Sequence, residues 1–122
     1  MPFQTPIYEN DDWQLPAPPL FGTKTRTAIL MLVAVLEQTY PAEISRYLGA
    51  AISSIQRTLD NLEDEGVIAT RQLAVRTVTL NPNYPAFREL RALLLRLAEG
   101  YQQYQLVKES RRTRPRRRGK PL

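Results

Sequence analysis

The sequence contains neither cysteine nor histidine among its 122 residues. Without cysteine, the chain has no disulfide framework and no thiol that could sense oxidants. Without histidine, it lacks the commonest general base, and the two absences together remove the usual ligands of transition metals. The serines have no activating base nearby in the sequence, and the five glycines form no phosphate-binding loop. We therefore expect no enzyme activity, no metal and no cofactor.

Long apolar runs are also missing. The longest, from Ala28 to Leu36, is far too short to cross a bilayer, and no secretory signal is recognisable at the N-terminus. A chain of this length suits one small domain with tails. These features lead us to expect a cytoplasmic protein with no membrane partner.

Positive charge is concentrated at the C-terminus. Residues 108–122 hold eight of the seventeen basic residues and one of the twelve acidic ones, so the remainder is slightly acidic although the whole chain carries +5. A tail of this composition, over about 109–122, is predicted to be disordered, and it is expected to contact nucleic-acid phosphates. A solubilising or targeting tail is the alternative. The phosphate-contacting candidates are Arg111, Arg112, Arg114, Arg116, Arg117 and Arg118.

The N-terminal part divides into an arm and a helix. Residues 1–20 hold five of the ten prolines, so they predict an extended arm. Apolar residues such as Trp13 and Leu15 indicate that part of this arm packs on the domain, with packing on a partner as the alternative. Thr23 is a good N-cap for a helix from Lys24 to Gln38. This helix is apolar on nearly all sides, which is typical of a buried helix.

The stretch from Pro41 to Leu80 predicts two short helices and a hairpin. Pro41 suits the first position of a helix, and Gly49 allows the positive φ that ends a helix abruptly. A second helix is predicted from Ala51 to Glu65, with a buried stripe of Ile55, Leu59 and Leu62. Two β-prone runs, 67–71 and 75–80, then indicate a hairpin. This order is the outline of a winged helix-turn-helix, a DNA-reading fold.

The polar side of the second helix carries the candidate DNA contacts. In a helix-turn-helix the second helix enters the major groove with its N-terminal residues against base edges. Ser53, Gln56 and Arg57 are the base-reading candidates, because Gln can pair with adenine and Arg with guanine. Ser54 is better placed for a phosphate. Residues 39–80 hold only four arginines against five acids, so their placement matters, and Arg46 is a further backbone candidate.

Two residues of this helix leave alternatives open. Ile52 is apolar beside the reading face, so it is either half buried or in contact with a thymine methyl group. Asp60 and Asp64 put negative charge on the reading face, where Asp60 either pairs with Arg57 or accepts from a cytosine amine. If neither holds, this face does not meet DNA.

A break at residues 81–85 precedes a third predicted region. Pro85 can open a long helix that reaches about Lys108. Its apolar residues alternate at spacings of three and four, which is typical of a helix that pairs with another helix. We expect a symmetric dimer seam there, with packing on the chain's own domain as the alternative. The seam candidates are Phe87, Leu90, Leu94, Leu97, Tyr101 and Tyr104.

The segment LGAAISSIQRTLDNLEDEGVI resembles the recognition-helix segment of the ArsR/MarR-type winged-helix regulators. The upstream KTRTAILMLV resembles the first helix of the ArsR-type domain, and the resemblance covers roughly residues 21–105. It implies a dimeric regulator that docks one recognition helix per half-site. On the matching positions it implies DNA contacts by Ser53, Ser54, Gln56 and Arg57 on the helix, and backbone contacts by Arg71 and Arg76 on the wing.

We therefore predict a mainly α fold with a small β-hairpin wing, that is, a winged helix-turn-helix with a long C-terminal helix. The predicted division is an arm at 1–20, the domain at 21–83, a dimerisation helix at 84–108 and a tail at 109–122. The predicted function is that of a homodimeric, nucleoid-associated transcriptional regulator that binds double-stranded DNA. The alternatives are a protein-interaction or adaptor module with a nucleic-acid-binding tail, and a nonspecific DNA-organising protein.

Overall fold

The computed structural model describes residues 15–113, with the side chains of Arg112 and Thr113 left out. The predictions for residues 1–14, including Trp13, lie outside the described residues. So do those for the side chain of Arg112 and for the tail residues Arg114, Arg116, Arg117 and Arg118.

The described chain consists of helices and one two-stranded antiparallel hairpin. The fold class predicted from the sequence, mainly α with a small β wing, is confirmed. In chain order the elements are α1 (Lys24–Leu36), α2 (Pro41–Leu48), α3 (Ile52–Asp64), β1 (Ile68–Gln72), β2 (Arg76–Leu80), α4 (Phe87–Glu99) and α5 (Gln102–Thr113).

Helix α1 is the centre of the core. Its N-cap is Thr23, whose hydroxyl accepts a hydrogen bond from the Arg26 amide at 2.9 Å, as the sequence predicts. Every residue from Thr27 to Leu36 is buried, because α2, β2, α4 and α5 all pack on this helix. It ends two residues before the predicted boundary, where Glu37 adopts a positive φ of 69°.

Helices α2 and α3 form the helix-turn-helix. Helix α2 has the predicted bounds, and Gly49 ends it in the left-handed conformation at φ 67°. Helix α3 is one residue shorter at each end than predicted. Its apolar stripe is fully buried, at 0% exposure, and consists of Ile55, Leu59 and Leu62.

The hairpin β1–β2 is the wing. Ile68 pairs with Leu80 at its base and Gln72 with Arg76 at its tip, leaving a three-residue loop. The wing is also tied to the loop between α1 and α2 by a bridge between Thr39 and Val78, with N–O distances of 3.0 and 2.8 Å. This third strand-like segment carries no local sequence signal.

The prediction of one long C-terminal helix is wrong. The chain leaves the helical path between α4 and α5, where Gly100 and Tyr101 make tight-turn hydrogen bonds to the carbonyls of Leu97 and Ala98. Glycine has a low helix propensity, so a break costs little at Gly100. The turn sends α5 back over α1, where Val107 is fully buried.

The same turn corrects the expected dimer seam. Leu94 and Tyr104 are fully buried by the chain's own residues, and Leu90 is 9% exposed, so these three are not available to a second subunit in this fold. Their burial agrees with the alternative interpretation, in which this region packs on the chain's own domain. The remaining seam candidates, Phe87, Leu97 and Tyr101, are half-buried.

The end of the N-terminal arm packs on the same helices. Leu15 and Ala17 are buried, and the carbonyl of Pro16 accepts a 3.0 Å hydrogen bond from the Tyr104 hydroxyl. Packing of part of the arm on its own domain is therefore confirmed for residues 15–17.

Candidate nucleic-acid interface

Helix α3 presents a polar surface opposite its buried stripe. Ser53, Ser54, Gln56 and Arg57 are all exposed, because the helical period turns these positions away from Ile55. Within residues 15–113, the side chains of Ser53, Gln56 and Arg57 form no hydrogen bond or ion pair. Their donors and acceptors are therefore free to bind an external partner.

The N-terminal end of α3 is electrostatically suited to an anion. Ala51 at the N-cap offers no side-chain acceptor, and the first turn contains no acidic residue. The first N–H groups of a helix have no partner within the helix and carry partial positive charge. Ser53 and Ser54 lie in this first turn, so their hydroxyls add donors beside those N–H groups.

Arg76 of the wing pairs with two of the three acidic residues that lie further along α3. Its Nη2 is 2.9 Å from Asp60 Oδ1 and 3.2 Å from Glu63 Oε1, and Thr70 donates to Glu63 at 2.8 Å. The Arg76 side chain is only 16% exposed. This corrects two expectations: Asp60 pairs with the wing and not with Arg57, and Arg76 braces the wing against α3 instead of pointing out as a free phosphate contact.

The other two arginine candidates of the domain are exposed. Arg71 lies on β1 and makes no ion pair or hydrogen bond within the described residues. Arg46 on α2 donates to the Tyr40 hydroxyl at 3.2 Å, and its guanidinium lies 5.9 Å from the centre of that ring. The tyrosine thus holds the Arg46 guanidinium at the surface of α2.

Arg111 is not the free tail residue that the sequence indicates. Its guanidinium donates to Glu43 Oε1 at 2.5 Å and to the Gln38 carbonyl at 3.1 Å. Glu43, on α2, is 3% exposed and also accepts from the Thr39 hydroxyl at 2.6 Å. The last described turn of α5 is therefore anchored to the start of α2.

A groove of about 410 Å³ lies between α2, α3 and the wing. Tyr40, Ile52, Gln56, Val75 and Arg76 are among its lining residues. Ile52 is 46% exposed and Val75 is 52% exposed. Ile52 is therefore accessible to a partner, as contact with a thymine methyl group requires. The reading side of α3 therefore borders an open surface that is both apolar and hydrogen-bonding.

Other kinds of site are sparse in residues 15–113. No cluster of three or more carboxylate, cysteine or histidine side chains there could hold a metal ion. None of the described helices is long and apolar enough to cross a membrane.

The arrangement of helix, turn, helix and wing defines the chain as a winged helix-turn-helix. No family model and no curated protein matches the sequence. Two solved structures of Lactococcus lactis ZitR are similar in fold. One, a variant with a glutamate replaced by alanine, aligns with a TM-score of 0.51 and 18% identity over 74% of this chain and 61% of its own.

The second ZitR structure, with a cysteine and a histidine replaced by alanine, aligns with a TM-score of 0.51 and 20% identity. It covers 81% of this chain and 70% of its own. The present sequence contains neither of those two residue types. At such identities the similarity is one of fold, and it supports the winged-helix assignment.

Proposed function

We propose that this protein is a transcriptional regulator that binds double-stranded DNA through α3. The observation that carries the proposal is the exposed face of Ser53, Gln56 and Arg57, whose polar groups have no partner within the described chain. Arg76 pairs with the nearby carboxylates of Asp60 and Glu63, which offsets one of their two negative charges and reduces the electrostatic objection to placing this face against a polyanion.

The proposed contacts are of two kinds, those to base edges and those to phosphates. Ser53, Gln56 and Arg57 read base edges in the major groove, with Gln56 suited to adenine and Arg57 to guanine. Ser54, Arg46 and Arg71 hold the phosphate backbone, which positions α3 without reading sequence. The basic tail contributes affinity that is independent of sequence, from Arg112, Arg114, Arg116, Arg117 and Arg118.

Two subunits would place two copies of α3 on successive half-sites. Helix-turn-helix dimers bind half-sites about one helical turn apart, and the homodimer is part of this proposal. The half-buried Phe87, Leu97 and Tyr101, with the exposed Leu93 and Leu106, are the apolar residues of α4 and α5 that remain for such a contact. A cytoplasmic, nucleoid-associated protein follows from the proposed activity.

The test is selection of binding sites by the full chain from a pool of random duplexes. We expect a near-palindromic motif to be enriched. Arg57→Ala should then reduce discrimination between the selected duplex and random DNA by about tenfold, since one bidentate base contact is worth about 1–3 kcal/mol. Arg88→Ala is the matched control, because Arg88 is an exposed arginine of α4 with no partner among the described residues.

Equal loss of affinity for selected and random DNA in the Arg57→Ala variant would contradict the base-reading role. Binding without any enriched motif would favour a nonspecific DNA-organising protein.

A protein-interaction module is the second candidate, and one observation favours it. Leu73 and Val75, in the loop of the wing, are 60% and 52% exposed, so two apolar side chains of one loop are left uncovered. On this hypothesis the selection yields no motif, and binding to a protein partner is insensitive to salt and is lost on Leu73→Ser.

A further inference from the structure

Exposed apolar side chains are concentrated at the candidate DNA surface. Six large apolar residues are exposed in the described chain, and three of them lie at the start of α3 or in the wing loop: Ile52, Leu73 and Val75. The first turn of a recognition helix is a position where base edges are met. An exposed isoleucine there leaves apolar surface in water unless a partner covers it.

Ile52 and Gln56 belong to one surface. They are four residues apart on α3, so they lie one turn apart on the same side of the helix, and both line the groove beside the wing. Val75 lines the opposite wall of this groove. The groove therefore combines an apolar side chain and a free amide at a spacing of about 5–6 Å.

We propose that this groove reads A·T base pairs, with Ile52 and Val75 against the thymine methyl group and Gln56 on adenine. Thymine is the base that presents an apolar group in the major groove, and adenine presents the N6 donor and N7 acceptor that a glutamine amide matches. The inference rests on the proposed DNA-binding function and names the bases that this part of α3 selects.

The neighbouring charges fit the same assignment. A carboxylate in the groove would favour the cytosine amine, but Asp60 and Glu63 are engaged by Arg76. Arg57 is five residues from Ile52, so the helical period directs it to a different side of α3. Arg57 therefore recognises guanine at one base pair of the half-site, whereas Ile52 and Gln56 recognise an A·T pair at another.

The experiment uses the full chain and the duplex most enriched in the selection described above. Each thymine of the motif is replaced in turn by uracil, which lacks the methyl group but keeps every hydrogen-bonding group. At one position or more we expect wild-type affinity to fall about fourfold, the equivalent of one buried methyl group. Ile52→Ala should discriminate between the thymine and uracil duplexes less than the wild type does, because one of the two side chains that cover the methyl group is gone.

Two further comparisons complete the test. Replacing adenine by 7-deazaadenine, which lacks the N7 acceptor, should weaken the wild type and leave Gln56→Ala unchanged. Leu20→Ala, which removes a leucine of similar exposure ahead of α1 (52% exposed), should keep the full uracil effect.

The proposed function and the A·T assignment are contradicted by different results. No enriched motif at all would overturn the proposed function. An enriched motif in which uracil substitution leaves wild-type affinity unchanged at every position, or weakens Ile52→Ala as much as wild type, would overturn the A·T assignment while leaving DNA recognition intact. A motif without A·T pairs would do the same.

Discussion

The carboxylate of Glu43 is the one charged side chain that is buried among residues 15–111. It is satisfied by Thr39 and by Arg111, which comes from a position 68 residues away. The Arg111 side chain is itself 33% exposed, so solvent screens part of the attraction. The larger effect is the cost of leaving a buried acceptor unpaired.

Arg111→Met should therefore lower the free energy of unfolding by about 1–3 kcal/mol, the usual cost of stranding a buried hydrogen-bonding group. The measurement is urea denaturation. Lys108→Met is the matched control, since Lys108 is an exposed cation on the same helix with no partner among the described residues. Adding Glu43→Gln should cost less in the Arg111→Met background than in the wild type. Identical stability of Arg111→Met and wild type would mean that the pair does not form in solution.

Because Tyr104 is buried, we expect the free energy of unfolding to fall at high pH. Burial, and secondarily the neighbouring Tyr101, raises the pKa of Tyr104 well above the usual value of 10.0. As the pH rises past about 10, the tyrosine ionises in the unfolded chain before it ionises in the folded one. The unfolded state thus gains stability relative to the fold, so the contribution of Tyr104 is present below pH 10 and is lost as the pH rises towards its folded pKa.

Tyr104→Phe checks this assignment. At neutral pH the variant should be less stable by about 1 kcal/mol, because it loses the hydrogen bond to the Pro16 carbonyl. In urea titrations at increasing pH the difference should shrink above about pH 10, since phenylalanine does not ionise. A constant difference between Tyr104→Phe and wild type across this range would contradict the prediction.

At the scale of elements, the wing and α3 form one electrostatic unit. Arg76 of β2 satisfies Asp60 and Glu63 of α3, and Thr70 of β1 donates to the same glutamate. The pairs are partly exposed, so they contribute little to stability. Their effect is on the surface charge, because Arg76 compensates one of the two carboxylate charges beside the DNA-reading residues.

Arg76→Gln should therefore lower the affinity for every duplex by about fivefold or more, since each uncompensated charge near a phosphate contributes about 1 kcal/mol at contact distance in water. Adding Asp60→Asn and Glu63→Gln to this variant should restore most of the lost affinity. Fluorescence anisotropy with a labelled duplex measures both effects. If Arg76 instead contacts phosphate directly, the triple variant will stay as weak as Arg76→Gln.

Local signals predicted the elements well, and non-local contacts account for what was missed. Pro41 and Gly49 delimit α2 because each acts on its own backbone, and the exposed positions of α3 follow from its helical period. The anchoring of Arg111 on Glu43 and the engagement of Arg76 depend on side chains far apart in sequence. The α4–α5 break was missed because the apolar spacing continues through Gly100 while the chain turns.

At the scale of the whole molecule, the Arg111 anchor sets where the basic tail begins. Arg111 binds Gln38 and Glu43, which flank Tyr40 in the chain, and Tyr40 lines the groove beside α3. Arg111 is therefore held close to the proposed reading surface, and a duplex bound by α3 would meet the basic residues that follow Arg111 at a high effective concentration.

Shortening the chain after Thr113 tests this arrangement and keeps the Arg111 anchor. It removes Arg114, Arg116, Arg117, Arg118 and Lys120, so the slope of log affinity against log salt should flatten by up to about 4.5, or about 0.9 for each phosphate released. Selected and random duplexes should lose affinity by the same factor, because phosphate contacts carry no sequence information. Loss confined to the selected duplex would instead assign base contacts to the tail. An unchanged slope would mean that the tail does not touch DNA and that the domain alone holds the backbone.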